Sequence, residues 1–229
     1  MHAKQILAIL LLCILGLVLA HEVVRGYALA TGRQKLLGLL PAFDLDQESN
    51  VPTFFSGFQL LLTAAASGFL AQVHKARGER WAGHWRFLSW LFVYLALDEV
   101  AMVHDRLTEP MRLLLGSHSS GWLTFAWVVP FGALTVGIAL CFLNFLWHQP
   151  ARLALQMAGA GATFVLGAVG VEMLGAHFYA AQGPEDLTYN LVLVPLEELL
   201  EMLGIWWFLK ITLGELRCGN VPLELRILD

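Results

Sequence analysis

Residues 122–147 read WLTFAWVVPFGALTVGIALCFLNFLW and contain no charged side chain. An α-helix needs about 20 mostly apolar residues to cross the hydrocarbon core of a bilayer, and this stretch is longer than that. A β-strand is usually only about 3–10 residues long. The stretch therefore predicts a transmembrane helix and, for the chain around it, an all-α fold.

The composition of the whole chain agrees with a membrane protein. Hydrophobic residues make up 58% of the 229 residues and charged residues only 14%, whereas a soluble domain is about 45–50% apolar and about 25% charged. The net charge of −4 is small and gives no indication of nucleic-acid binding. The three cysteines lie far apart, so neither a disulfide framework nor a zinc motif is expected. The partner that the composition predicts is the lipid bilayer.

Five further stretches are long and apolar enough to be spans, so we predict one polytopic bundle of about six helices over residues 1–229. The connection between the first two spans, residues 21–52, is the longest and should face outward. The predicted spans, in chain order, are Gln5–Ala20, Phe54–Val73, Phe87–Val103, Trp122–Trp147, Leu153–Ala180 and Tyr189–Leu213.

The first span has a second interpretation. Lys4, the apolar run and the small residue Ala20 are also typical of a cleavable signal peptide. We favour an uncleaved anchor because the run exceeds the usual signal core of 7–15 residues. Cleavage would leave five spans and place His21 at a free N-terminus, where its amine and imidazole could bind copper.

Basic residues in short loops predict the orientation. The loop HKARGERWAGHWR, residues 74–86, contains four arginines and lysines, and such loops are usually cytoplasmic. The link AQGPEDLTYN, residues 181–190, has two acids and no base and should face outward. With six spans, both termini are then predicted to be cytoplasmic.

Eight acidic and histidine side chains lie within predicted spans or directly after them, and an unpaired charge inside a span costs on the order of 3 kcal/mol or more. Such groups must be paired, protonated, hydrated or bound to a cation. Asp105, which follows the third span, is more simply a hydrated interfacial acid. The eight residues are Asp98 and Glu99 in the third span and His104 directly after it, Glu172 and His177 in the fifth, and Glu197, Glu198 and Glu201 in the sixth.

These residues should converge in one layer. Glu172 and Glu197 are nearly equidistant from the turn around Glu185, so two antiparallel helices place them at similar depth in the outer half of the membrane. The third span also runs outward and brings its acids towards the same layer. On the sixth span, the three glutamates fall within one helix face.

The two histidines are harder to place beside the acids. Glu99 and His104 are five residues apart, and so are Glu172 and His177. On an ideal helix this spacing separates side chains by about 140°. A π-bulge would bring each pair together, and such bulges are frequent at functional sites. The alternative is that each histidine serves a different neighbour.

Carboxylates combined with imidazoles suit Fe, Zn, Mn or Cu, whereas carboxylates alone would suit Mg or Ca. We therefore predict a divalent transition-metal site built from all eight residues. Its direct ligands would be the glutamates of the three spans, with His104 and His177 as ligands or as groups that orient ligands. The glutamates expected as direct ligands are Glu99, Glu172, Glu197 and Glu201.

Two features are predicted to shape the helices around this site. Small residues recur at multiples of four on the fifth span, at Gly159, Thr163, Gly167 and Gly175, which permits close helix packing. Pro195 near the start of the sixth span should kink or locally open that helix just before Glu197.

Three motifs resemble a family of uncharacterised bacterial multi-pass membrane proteins. They are L-D-E-x-x-x-x-H-D at Leu97–Asp105, G-A-V-G-V-E at Gly167–Glu172 and E-E-x-x-E-M-x-G at Glu197–Gly204. The resemblance covers residues 87–213. It implies a bacterial inner-membrane location and no particular reaction.

Three functions are compatible with these features. A membrane metalloenzyme would perform redox or hydrolytic chemistry on a lipid-soluble substrate. A cation or proton-coupled transporter would use the acids as a relay. A non-catalytic subunit of a membrane complex would require a partner protein.

Overall fold

A computed structural model describes residues 3–33 and 36–218. Within these residues the chain is helical and has no strand, which confirms the all-α prediction. Two helices are extended by π-helical turns, at Leu166–Val171 between α7 and α8 and at Tyr189–Leu193 before α9. The α-helices are α1 Ala3–Thr31, α2 Leu39–Phe43, α3 Val51–Ala76, α4 Ala82–Ala101, α5 Val103–Leu115, α6 Val128–Trp147, α7 Ala151–Val165, α8 Glu172–Gln182 and α9 Val194–Cys218.

The apolar helices indicate a membrane protein. Among the described residues, α1, α3, α6 and the continuous helix 151–182 are long and apolar enough to cross a bilayer, and α4 with α5 forms a fifth candidate. Helix α9 is also long, but it contains Glu197, Glu198, Glu201 and Lys210, which lower its hydropathy. The number of six spans therefore stays a prediction.

Helix α1 is longer than the sequence predicted. It continues past Ala20 without interruption to Thr31, so the connection to α3 is shorter than residues 21–52. The apolar run ends at Ala20, but the helix continues because His21 and Arg25 are buried against neighbouring segments. Polar side chains that have partners inside the protein can continue a helix, although they end the apolar run from which its length was predicted.

The predicted third span bends at its C-terminal end. Met102 adopts a left-handed conformation with φ 51°, and α5 leaves α4 at an angle of 77°. Asp98 stabilises this turn by accepting a hydrogen bond from the backbone N–H of His104 at 2.8 Å. The helix of the predicted third span therefore ends at Ala101, two residues before the predicted boundary at Val103.

The predicted small-residue stripe on the fifth span forms close packing with α9, which confirms that expectation. A Cβ added at Gly159 would lie 2.7 Å from the Trp207 ring, and one at Gly167 would lie 2.8 Å from the Glu197 carbonyl oxygen. From the other side, a Cβ at Gly204 would lie 2.7 Å from the Phe164 backbone nitrogen. This contact fixes α9 beside the segment that contains Glu172.

The apolar core fills one half of the bundle. It lies towards the end at which α3 meets α4 and α6 meets α7, and it contains large buried side chains such as Trp85, Phe145 and Phe208. The opposite half of the bundle contains the acidic residues. The large apolar core and the acidic residues therefore occupy different parts of the bundle.

Candidate functional site

A cavity of about 370 Å³ lies in the polar half of the bundle, between α3, α4, α9 and the π-helical turn before Glu172. The loop that precedes α3, the start of α5 and residues 125–131 complete its wall. Nine carboxyl groups and one imidazole line it. They belong to Asp46, Glu48, Asp98, Glu99, Asp105, Glu172, Glu197, Glu198, Glu201 and His104.

Seven of the eight predicted site residues line this cavity, and His177 is the exception. The His177 ring stacks on Trp122 with a centroid distance of 4.8 Å. Its Nδ1 atom is buried and has no hydrogen-bond partner among the described residues. Five residues separate His177 from Glu172 on a regular helix, so the two side chains point in different directions. The π-helical turn lies before Glu172, where it cannot realign this pair.

His104 is held by Asp98 rather than by Glu99. Its Nδ1 atom lies 3.0 Å from Asp98 Oδ2, while its backbone N–H donates to Asp98 Oδ1. The imidazole also packs against the Trp127 ring at a centroid distance of 4.7 Å. The bend at Met102 produces this arrangement, because it turns the start of α5 back towards α4. The other ring nitrogen of His104, Nε2, lies 3.6 Å from Asp105 Oδ1.

Glu172 connects two walls of the cavity. The indole N–H of Trp127 donates a hydrogen bond of 3.0 Å to Glu172 Oε1. The Glu197 carboxyl group lines the same cavity, and two neighbouring carboxylates repel each other unless a proton or a cation lies between them. The wide π-helical turn Tyr189–Leu193 precedes Pro195, as expected for a proline that opens the start of the helix.

Two acids of the cavity wall lie outside the predicted spans and were not predicted. Tyr189 donates a hydrogen bond of 2.6 Å to Asp46, and Thr53 donates one of 2.9 Å to Glu48. Burial raises the pKa of both carboxyl groups above their ordinary values. Acids are common in loops, so the sequence contained no signal for these two positions. Asp105, predicted to be a hydrated interfacial acid, also lines the cavity, although its side chain is 56% exposed.

A second polar group, also not predicted, supports the loop that contains Asp46 and Glu48. His21 accepts a hydrogen bond from the backbone N–H of Leu45 at 3.0 Å, and its other ring nitrogen lies 2.8 Å from the Asn190 carbonyl oxygen. Arg25 contacts Asn190 and Asp44. The four-residue spacing of His21 and Arg25 on one helix face was the available signal. In the uncleaved chain both ring nitrogens of His21 therefore have partners within this network.

The cavity is strongly acidic. No lysine or arginine lines it, and among the described residues none approaches Glu99, Glu172, Glu197, Glu198 or Glu201 within ion-pair distance. The arginines nearest in sequence to the bend do not neutralise the acids of the cavity. Arg112 pairs instead with Glu109 and the Thr124 carbonyl oxygen. The described part of the chain contains no group of three or more His, Cys, Asp or Glu side chains arranged to hold a metal ion.

Comparisons with known proteins concern the family alone. No curated protein and no solved structure matches the chain. A family model does match it, and the matched residues include every acid of the cavity wall. The chain belongs to the family described as a domain of unknown function, DUF8692, whose model covers residues 6–213.

Proposed function

We propose that this protein binds a divalent transition metal in the acidic cavity and uses it on a lipid-soluble substrate. The observation that supports the proposal is nine carboxyl groups and one histidine around a single cavity, with no lysine or arginine among the described residues of its wall. Fe, Zn, Mn and Cu are the metals that this mixture of ligands suits. A bacterial inner-membrane location with both termini cytoplasmic belongs to the same proposal.

A bound cation would offset the cost of placing these acids in a membrane. Each isolated carboxylate at the bilayer centre costs on the order of 3 kcal/mol or more, and neighbouring negative charges add repulsion. A divalent cation removes both penalties for the glutamates that coordinate it. The helix–helix contact at Gly167 places Glu197 and Glu201 beside the segment that contains Glu172, so these three are the central ligand candidates.

The remaining predicted residues divide between ligands and supports. Asp98 holds one nitrogen of His104, which leaves Nε2 as the ring atom that can bind a metal, as in carboxylate–histidine–metal arrangements. Asp98 is therefore assigned to orienting His104. Glu99 and Glu198 are further ligand candidates from the cavity wall. Because the side chains do not already form a ligand set, binding requires rotamer changes of flexible glutamates.

An enzyme with an apolar substrate suits the rest of the cavity. Its deeper wall contains Leu60, Phe131, Phe164 and Ile205, which could contact a hydrocarbon or a quinone-like ring. A metal there would supply Lewis-acid or redox chemistry. Large apolar side chains pack beneath the cavity, and the buried polar residues Gln59, Thr63 and Ser67 of α3 lie in the same part of the bundle.

The test is elemental analysis of the full chain purified in detergent. We expect about one metal ion per chain in the wild type and a loss of most of it in the double variant Glu198→Gln and Glu201→Gln. The conservative change keeps the size of each side chain while removing its charge. The matched control is Glu109→Gln, an acid outside the cavity with a side chain that is 75% exposed.

Two results would contradict the proposal. One is a wild-type protein without stoichiometric metal after growth with each candidate metal supplied. The other is unchanged metal content in the double variant, provided that it elutes from a sizing column like the wild type.

A further inference from the structure

A second cavity lies at the opposite end of the bundle from the acids. It has a volume of about 430 Å³ and is formed by the first turns of α1 and α7 and the last turns of α9. Its wall is largely apolar and includes Leu7, Leu153, Trp207 and Ile211. The Trp206 N–H donates a 2.8 Å hydrogen bond to the Leu7 carbonyl oxygen and so holds α1 against α9 beside this cavity.

Four basic side chains from three helices line the same cavity, Lys4, Arg152, Lys210 and Arg217, and Glu215 is the one acid among its lining residues. Within the described residues, none of these four bases forms an ion pair with a carboxylate. Lys210 makes a cation–π contact with Trp206, its Nζ atom lying 5.3 Å from the ring centroid. Among the residues that the structure describes, the cavity thus combines a rim with four bases and one acid with an apolar interior.

We infer that this basic cavity binds an anionic phospholipid. Basic pockets between transmembrane helices bind the phosphate groups of acidic lipids, and lysine and arginine near a membrane surface each contribute about a fivefold gain in affinity. The apolar wall between α1, α7 and α9 accommodates an acyl chain, which a free phosphate ion would not need. The basic side chains therefore favour an anionic headgroup, and the apolar wall favours a lipid over a soluble anion.

The position of the cavity matches this assignment. It is at the end of the bundle at which α3 ends and α4 begins, and the loop between those helices contains the basic residues that predict the cytoplasmic side. The headgroup region of the inner leaflet lies at that level. The site does not depend on a metal in the acidic cavity, because the apolar core separates the two.

The test is native mass spectrometry of the full chain in detergent, titrated with phosphatidylglycerol or with phosphatidylcholine of the same acyl chains. We expect the wild type to retain phosphatidylglycerol at least tenfold more tightly than phosphatidylcholine. The variant Arg152→Gln, Lys210→Gln and Arg217→Gln should lose this preference. The matched control is Lys75→Gln, Arg80→Gln and Arg86→Gln, which removes the same charge at the same end of the bundle and outside the cavity.

Several outcomes would overturn the inference. Equal retention of the two lipids by the wild type would do so, as would an equal loss of preference in the control variant. Displacement of the lipid by millimolar inorganic phosphate would show a site for a soluble anion instead. Failure of the wild type to bind either lipid would indicate that another occupant, such as residues 219–229 or a partner protein, fills the cavity.

Discussion

Asp98 determines the direction of His104. Its buried carboxylate accepts the backbone N–H at 2.8 Å and contacts the ring Nδ1 at 3.0 Å. We expect Asp98→Ala to lower the free energy of unfolding by about 1–3 kcal/mol, because it leaves the first turn of α5 without its acceptor and a part-buried ring nitrogen without a partner. Thermal unfolding in detergent measures the change.

The control for this prediction is Glu109→Ala on α5, the helix that follows the bend. The Glu109 side chain is 75% exposed and forms a surface ion pair with Arg112, so its removal should change stability by less than about 0.5 kcal/mol. Equal thermal stability of the Asp98 variant and the wild type would show that the two hydrogen bonds do not hold the bend.

Glu48 should make stability depend on pH. Burial raises its pKa in the folded protein above the ordinary 4.5, and the hydrogen bond from Thr53 offsets only part of the increase. Between 4.5 and the raised value, the folded state binds more protons than the unfolded state, so stability falls as pH rises through this window. The Glu48→Gln variant lacks this fall. Relative to the wild type, it should therefore be more stable at about pH 7 than at about pH 4.

Unfolding temperatures of both proteins at the two pH values measure this difference. Thr53→Val is a useful companion variant, because loss of the Thr53 hydrogen bond should raise the Glu48 pKa further and steepen the dependence. A difference between wild type and Glu48→Gln that does not change with pH would contradict the assignment.

At the scale of single residues, the sequence identified the acids that lie within otherwise apolar helices. Glu172 and Glu197 stand out because carboxylates are costly in an apolar helix, whereas Asp46 and Glu48 are ordinary loop residues. Whether a side chain points into the cavity was harder to predict. His177 shares a helix with Glu172, but its ring turns towards Trp122, a contact set by a distant segment.

Close packing between α7 and α9 depends on glycine. A Cβ at Gly204 would lie 2.7 Å from the Phe164 backbone nitrogen and 2.8 Å from its Cβ. We expect Gly204→Ala to lower stability by about 1–3 kcal/mol, since backbone atoms cannot yield as a flexible side chain can. Unfolding by SDS titration measures the loss.

Gly161, on α7, provides the matched control, because no atom lies within 4 Å of a Cβ added there. Gly161→Ala should be as stable as the wild type or more stable by up to about 1 kcal/mol, because alanine favours a helix. Similar losses in both variants would indicate a general effect of replacing glycine and would argue against a specific close approach.

The limits of sequence prediction at the scale of elements have physical causes. The bend at Met102 contains neither proline nor glycine, and it results from the hydrogen bonds of Asp98, which connect residues six apart. The extension of α1 to Thr31 likewise depends on partners from other segments. By contrast, the glycine spacing on the fifth span acts locally and predicted the close packing with α9. Pro195 also acts locally, and it predicted the opened turn before α9.

The whole molecule has two chemically opposite ends. Acids surround the cavity at one end, bases surround the cavity at the other, and the core between them is apolar. This polarity agrees with the predicted orientation, in which the basic end faces the cytoplasm. Hydropathy alone predicts α9 poorly, because the acids needed at the cavity reduce its apolar character.

The predicted six spans would place the two ends on opposite sides of the membrane, and single cysteines can test this arrangement. In a background without the three native cysteines, Ser120→Cys and Glu185→Cys mark the acidic end, and Glu79→Cys marks the basic end; all three positions are exposed. We expect a membrane-impermeant maleimide to label the first two positions in intact spheroplasts. It should label Glu79→Cys only after lysis.

A protease-sensitive tag after Asp229 tests α9 in the same cells. If α9 crosses the membrane, the tag lies on the side of Glu79→Cys and is protected in intact spheroplasts. A tag cleaved on the side of Glu185→Cys would mean that α9 returns without crossing. The acidic cavity would then be built around a re-entrant helix, and the basic cavity could not lie at the inner leaflet.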